Sequence, residues 1–98
     1  MPELIFHPDV SAEIKASYQW YEKQAKGLGE DFLAELEQSF GDITQYPNSW
    51  PPFGNNTHRF LLNKFPFSVI YSPSEKQILV LAVMHNKKRP GYWIKRSE

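Results

Sequence analysis

The side chains best suited to chemistry cluster near the C-terminus, in Met84-His85-Asn86-Lys87-Lys88-Arg89-Pro90-Gly91-Tyr92-Trp93. A histidine here precedes three consecutive cations and two aromatics, a composition that suits phosphate neutralisation and base stacking. The imidazole of His85 titrates near neutrality and can act as general acid or base, while Lys87, Lys88 and Arg89 can stabilise the charge that develops on a phosphorane. The same histidine is equally readable as a hydrogen-bonded residue closing a strand. Arg59 and Lys64 are the other cations within reach of the pattern, but five residues apart they fall on opposite faces of a regular strand.

Other chemistries lack their residues. With no cysteine, thiolate metal sites, disulfides and a cysteine nucleophile are all excluded. His7 and His58 share no ligand spacing with His85, so neither a metal nor any other cofactor is expected. There is no serine nucleophile signature and no glycine-rich phosphate loop, and the carboxylates fall on helix faces, not in a predicted cleft.

A chain of 98 residues is expected to form one domain, spanning 1–98. No stretch approaches the roughly 18 apolar residues of a membrane span, and the N-terminus lacks the basic and apolar regions of a signal peptide, so the expected location is the cytoplasm. The net charge of zero hides a division. Residues 1–50 hold 3 Lys/Arg against 9 Asp/Glu, and residues 51–98 hold 8 against 2. Such asymmetry points to an acidic or anionic partner for the basic half.

The elements that would carry these residues read in order. Leu4-Ile5-Phe6 makes a strand at about 3–7, stopped by Pro8, which suits the first turn of a helix. Val10, Ile14, Tyr18, Tyr21 and Ala25 give a helix ending near Lys26. After Gly27-Leu28-Gly29, a second helix starts at Glu30 and Asp31, carries Phe32, Leu36, Phe40 and Ile43, and stops before Pro47. Residues 47–56 hold three prolines and three asparagines and form a loop, pinned by Trp50 and Phe53. Three strands follow, at about 57–64, 67–72 and 77–85, with gaps short enough for an antiparallel meander. In the last strand, alternation sets Ile78, Val80, Ala82 and Met84 on one face and Leu79, Leu81 and Val83 on the other. The helical hairpin covers one face. The second is either a partner site or the seat of the tail carrying Tyr92, Trp93 and Ile94. The fold class is α+β: β-α-α-β-β-β, a helical hairpin on a mostly antiparallel four-stranded sheet, with a short C-terminal tail or helix.

These segments together resemble the RelE/ParE toxin superfamily of bacterial type II toxin-antitoxin (plasmid stabilisation) systems. The likeness rests on the Gly-Leu-Gly joint followed by Glu-Asp-Phe-Leu-Ala-Glu-Leu-Glu, on Arg59-Phe60-Leu61-Leu62, on Phe65-Pro66-Phe67-Ser68-Val69-Ile70-Tyr71, and on Val83-Met84-His85 followed by Arg89-Pro90-Gly91-Tyr92-Trp93. It covers nearly the whole chain. It implies a growth-inhibiting toxin that a cognate antitoxin neutralises in a hetero-oligomeric complex, with Leu79, Leu81 and Val83 as the antitoxin-binding face. RelE-like members cut mRNA on the ribosome, and on that model His85, Arg89, Tyr92, Arg59 and Lys64 are the catalytic positions. ParE-like members inhibit DNA gyrase without nuclease activity, and the cationic rim of Lys87, Lys88 and Arg89 with Trp93 then contacts the target.

One departure divides the two. RelE-like nucleases place an arginine on the middle meander strand, and here Phe67-Ser68-Val69-Ile70-Tyr71 has no cation. This favours the ParE-like reading of gyrase inhibition over the mRNA endonuclease, with a decayed, non-toxic antitoxin-binding module as the remaining alternative.

Overall fold

The computed structural model describes residues 2–54, 56–88 and 91–97. A short strand β1 (Glu3–Phe6) leads through His7 and Pro8 into helix α1 (Pro8–Gln24). The entry is capped: His7 Nδ1 accepts a hydrogen bond from the Asp9 N–H at 3.1 Å, while Pro8 lacks the N–H that would otherwise need a partner. Helix α2 (Leu28–Gln45) begins two residues before the acidic pair that was expected to open it. The cause is Glu22 on α1. Its carboxylate accepts from Gly29 N–H at 2.8 Å and from Gly27 and Glu30 N–H at 3.3 Å, so α1 itself caps α2. Gly27 makes the turn in the left-handed region at φ 89°.

Strands β2 (His58–Leu61), β3 (Phe67–Pro73) and β4 (Gln77–His85) complete one sheet of order β1-β4-β3-β2. The meander is antiparallel, and β1 lies parallel to β4. A 3₁₀ turn (Ile94–Ser97) ends the tail. The first meander strand is shorter than the expected 57–64 because Leu62 and Phe65 turn into the core. The Glu35 carboxylate of α2 takes the backbone N–H groups of Asn63 and Lys64. The 47–56 loop is held as expected. Trp50 packs on Phe60 at 4.7 Å, Phe53 stacks on Trp93 at 5.5 Å, and Tyr71 Oη donates to the Pro47 carbonyl at 2.6 Å.

A bulge decides which residues share a face. Ile70 pairs with Ala82 but Tyr71 pairs with Val80, which leaves Leu81 as an extra residue on β4. Alternation reverses across it. Ile78, Val80 and Val83 join Val69, Tyr71, Phe32 and Leu36 under the helices. Leu79, Leu81, Ala82 and Met84 face the other way with Ile70 and Trp93. The expected partition of β4 is therefore corrected at Val83, Ala82 and Met84. The helical layer contains a linked aromatic cluster, in which Phe32 meets Phe65 at 5.3 Å and Phe67 at 4.9 Å, with Tyr21 4.9 Å from Phe65.

Candidate functional site

His85 ends β4 opposite Phe67, whose ring it meets edge-on at 5.3 Å. The next residues turn tightly: Asn86 N–H bonds the Pro66 carbonyl at 2.8 Å and Lys88 N–H bonds the His85 carbonyl at 2.9 Å. His85 Nδ1 accepts from the Lys87 N–H at 3.1 Å, which fixes the ring across the turn. Lys87 and Lys88 are exposed, and among the described residues no carboxylate lies within 4 Å of either. Arg89 lies outside the described residues.

Arg59 is brought to the same end of the sheet, although 27 positions separate it from Asn86. Its Nε donates to Ser68 Oγ at 2.9 Å and its Nη2 to Asn86 Oδ1 at 3.3 Å, while Ser68 Oγ donates to the same Oδ1 at 2.5 Å. The guanidinium sits 5.0 Å above the Phe53 ring. Ser68 is fully buried on β3, the middle meander strand, so a hydroxyl stands there and the cation reaches it from the neighbouring strand. Sequence reading missed Ser68 and Asn86 because neither is charged. Lys64 does not join this group. It lies in the turn after β2, beside Asp31, Glu35 and Asp42 of α2.

Tyr92 is engaged elsewhere. Its Oη donates to Glu13 Oε2 at 2.9 Å, and its ring lies between Lys88 Nζ at 4.2 Å and the Arg96 guanidinium at 4.9 Å. Burial first, then the hydrogen bond and charge of Glu13, hold its phenol far above the ordinary value of 10.0, against the lowering influence of Arg96. Glu13 has two further partners, Val83 N–H at 3.1 Å and Arg96 Nη1 at 3.1 Å, and the latter atom also donates to the Leu81 carbonyl at 2.9 Å. The reason lies in the sheet. β1 stops beside Val80, and past that point the edge of β4 would present unpaired backbone groups, which Glu13 and Arg96 satisfy instead. Neither residue was singled out in the sequence, since a carboxylate on a helix face and an arginine in a tail carry no local signal.

Two expected surfaces are corrected. Trp93 is only 3% exposed, stacked on Phe53 over Ile70, Leu81 and Ala82, so it seats the tail and presents no face to a target. Leu79, Leu81 and Val83 do not form one open face: Val83 points under the helices, Leu81 is fully buried, and Leu79 is half-buried beside the tail cluster. Among the described residues no group of three His, Asp or Glu is placed to hold a metal, and no helix is long and apolar enough to cross a membrane.

The arrangement is thus a preformed cationic corner, in which Lys87, Lys88 and a clamped Arg59 stand near His85, without an adjacent free acid or hydroxyl among the described residues. No curated protein sequence matches the chain. A solved structure, the chromosomal ParDE TA system from P. aeruginosa, superimposes with a TM-score of 0.76 at 18% identity, covering 87% of this chain and 96% of that one. That likeness establishes the fold. The family model of the ParE toxin of type II toxin-antitoxin systems, parDE, matches residues 4–90, and the chain therefore belongs to the ParE toxin family.

Proposed function

We propose that this ParE-type toxin acts in the cytoplasm by binding DNA gyrase, not by cutting mRNA, and that a cognate antitoxin neutralises it. The observation that carries this reading is the state of the residues a nuclease would need. Tyr92 Oη is committed to Glu13, two of the three guanidinium nitrogens of Arg59 are committed to Ser68 and Asn86, and Lys64 lines a different hollow with Asp31, Glu35 and Asp42 of α2. A general acid must reach the leaving oxygen with its proton available, and among these groups His85 stands without a second member. What remains is a charged corner suited to recognition.

The antitoxin has a different seat. β1 is an outer strand of the sheet, and beside it Phe6, Val10, Ile14, Tyr18, Leu33 and Phe40 line an apolar hollow of about 520 Å³ between the helices. An extended antitoxin segment can add to the β1 edge and lay apolar side chains in that hollow. Leu79 and Leu81 enter such an interface only if the tail is displaced, and Val83 stays under the helices.

The test is a gyrase supercoiling and cleavage assay alongside a translating extract, both with purified protein. Inhibition of gyrase at stoichiometric protein with intact mRNA is expected. A-site cleavage of mRNA that disappears in His85→Ala would reverse the assignment.

A further inference from the structure

The flank of α1 opposite the antitoxin hollow carries a second groove. Ala16, Ser17, Trp20 and Tyr21 form its helical wall, and Pro66, Phe67 and His85 its sheet wall, enclosing about 550 Å³. It continues past Ala16 and Ser17 toward Ala12, Val83 and Lys88. Trp20 is 58% exposed, held edge-on to Tyr21 at 5.2 Å, and lies off the apolar stripe that builds the core. Ala12 and Ala16 are one helical turn apart, so the wall between Trp20 and the cationic corner is low, above a floor to which the buried Phe67 contributes its edge. We infer that this groove is the apolar half of the target-binding surface and receives an amphipathic, acidic protein segment of gyrase, with an apolar side chain against Trp20 and carboxylates opposite Lys87 and Lys88. The inference rests on the gyrase reading above.

Charge complementarity selects this occupant. The groove ends at Lys88, next to the exposed Lys87; both lack carboxylate partners among the described residues, and the one acid among the described residues lining the groove, Glu13, is consumed by Tyr92, Arg96 and Val83. The charge of the two lysines is therefore not neutralised by a described carboxylate, although Lys88 also rests on the Tyr92 ring, and it is complementary to an acidic partner. A nucleic-acid backbone fits poorly. Such interfaces are strongly basic over a wide area, whereas this one is apolar along most of its length and carries its charge at one end only. An exposed tryptophan beside an apolar trough, rimmed by charge, is the usual form of a protein-binding hot spot.

The test measures binding of purified DNA gyrase to the wild type, Trp20→Ala, Lys88→Glu and Tyr46→Ala by biolayer interferometry, with circular dichroism melts to confirm folding. Trp20→Ala and Lys88→Glu are each expected to weaken binding by about tenfold or more, while Tyr46→Ala, an exposed aromatic at the end of α2, binds as wild type. If Trp20→Ala binds gyrase with wild-type affinity, the groove is not the site, although the gyrase reading stands. If Lys88→Glu alone loses binding, together with loss of DNA binding by the free chain, the corner reads nucleic acid and the inference fails. A folded wild type that binds no gyrase overturns the gyrase reading and this occupant with it.

Discussion

Removing the Glu13 carboxylate should unlatch the C-terminal tail. Three donors converge on it: Val83 N–H and Arg96 Nη1 at 3.1 Å, and Tyr92 Oη at 2.9 Å. The ion pair is shielded, with Glu13 16% and Arg96 15% exposed. Breaking a fully buried pair costs about 3–5 kcal/mol, and partial exposure reduces that to roughly 2 kcal/mol. The orphaned Val83 N–H adds about 1 kcal/mol. Glu13→Ala should then lose about 3 kcal/mol, which for a domain of this size is a fall in Tm of roughly 12–24 °C. Glu13→Gln retains an acceptor for Val83 and loses only the charge, so about half of that fall is expected. Thermal melts followed by circular dichroism give the magnitude, and hydrogen exchange locates it, with faster exchange across 91–97 and the Leu79–Met84 stretch of β4. In a double-mutant cycle, Glu13→Ala and Tyr92→Phe should couple by about 0.5–1 kcal/mol. A Glu13→Ala variant that melts within about 4 °C of wild type, with its tail still protected, would refute the argument that one carboxylate ties the tail to β4.

Alkaline pH should destabilise the fold through its buried phenols. Burial pushes Tyr71 up to about 12 and, with Glu13, raises Tyr92 further, so both favour the protonated form in the folded state more than in the unfolded chain. Their contribution is complete below pH 10 and is lost as pH rises through 10 toward 12. Tyr71→Phe should flatten the decline of Tm between pH 9.5 and 11.5, and parallel curves for variant and wild type would contradict this. The two glycines of the helical joint should fail for different reasons. A Cβ on Gly29 would sit 2.6 Å from Glu22 Cγ and 2.7 Å from the Tyr18 carbonyl, forcing α1 and α2 apart at about 1–3 kcal/mol. Gly27 has open space but φ 89°, so Gly27→Ala should cost about 1 kcal/mol from backbone strain alone. Urea midpoints that rank Gly27→Ala as the more damaging would show that the helices do not approach as closely as described.

The order of elements, the helical hairpin and the antiparallel meander were legible because hydrophobic period and turn residues are local signals, as the stripe Val10, Ile14, Tyr18, Tyr21 and the strand 77–85 show. Cap placement was less so. The start of α2 depends on Glu22, seven residues before the N–H it accepts, and nothing at Leu28 itself announces a helix. His85 and the cations Lys87 and Lys88 were visible in one short segment, but the company of Arg59 was not, since Ser68 and Asn86 meet it only through strand register.

The bulge at Leu81 explains why the most confident-looking pattern in the sequence misled. Strict alternation along β4 assigned Val83 to the face away from the helices, and one extra residue was enough to turn it under them while moving Ala82 and Met84 to the face that the tail covers. The bulge lies where β1 ends, so the same short stretch of β4 loses a strand partner and changes face. Glu13 and Arg96 meet the first consequence, and the tail, through Trp93, covers the second. The tail is then an integral part of the sheet's finish and not an optional cover. With that face closed, the two flanks of α1, the hollow beside β1 and the groove of Trp20 that runs to Lys88, carry the open apolar surface on which the partner proposals above rest.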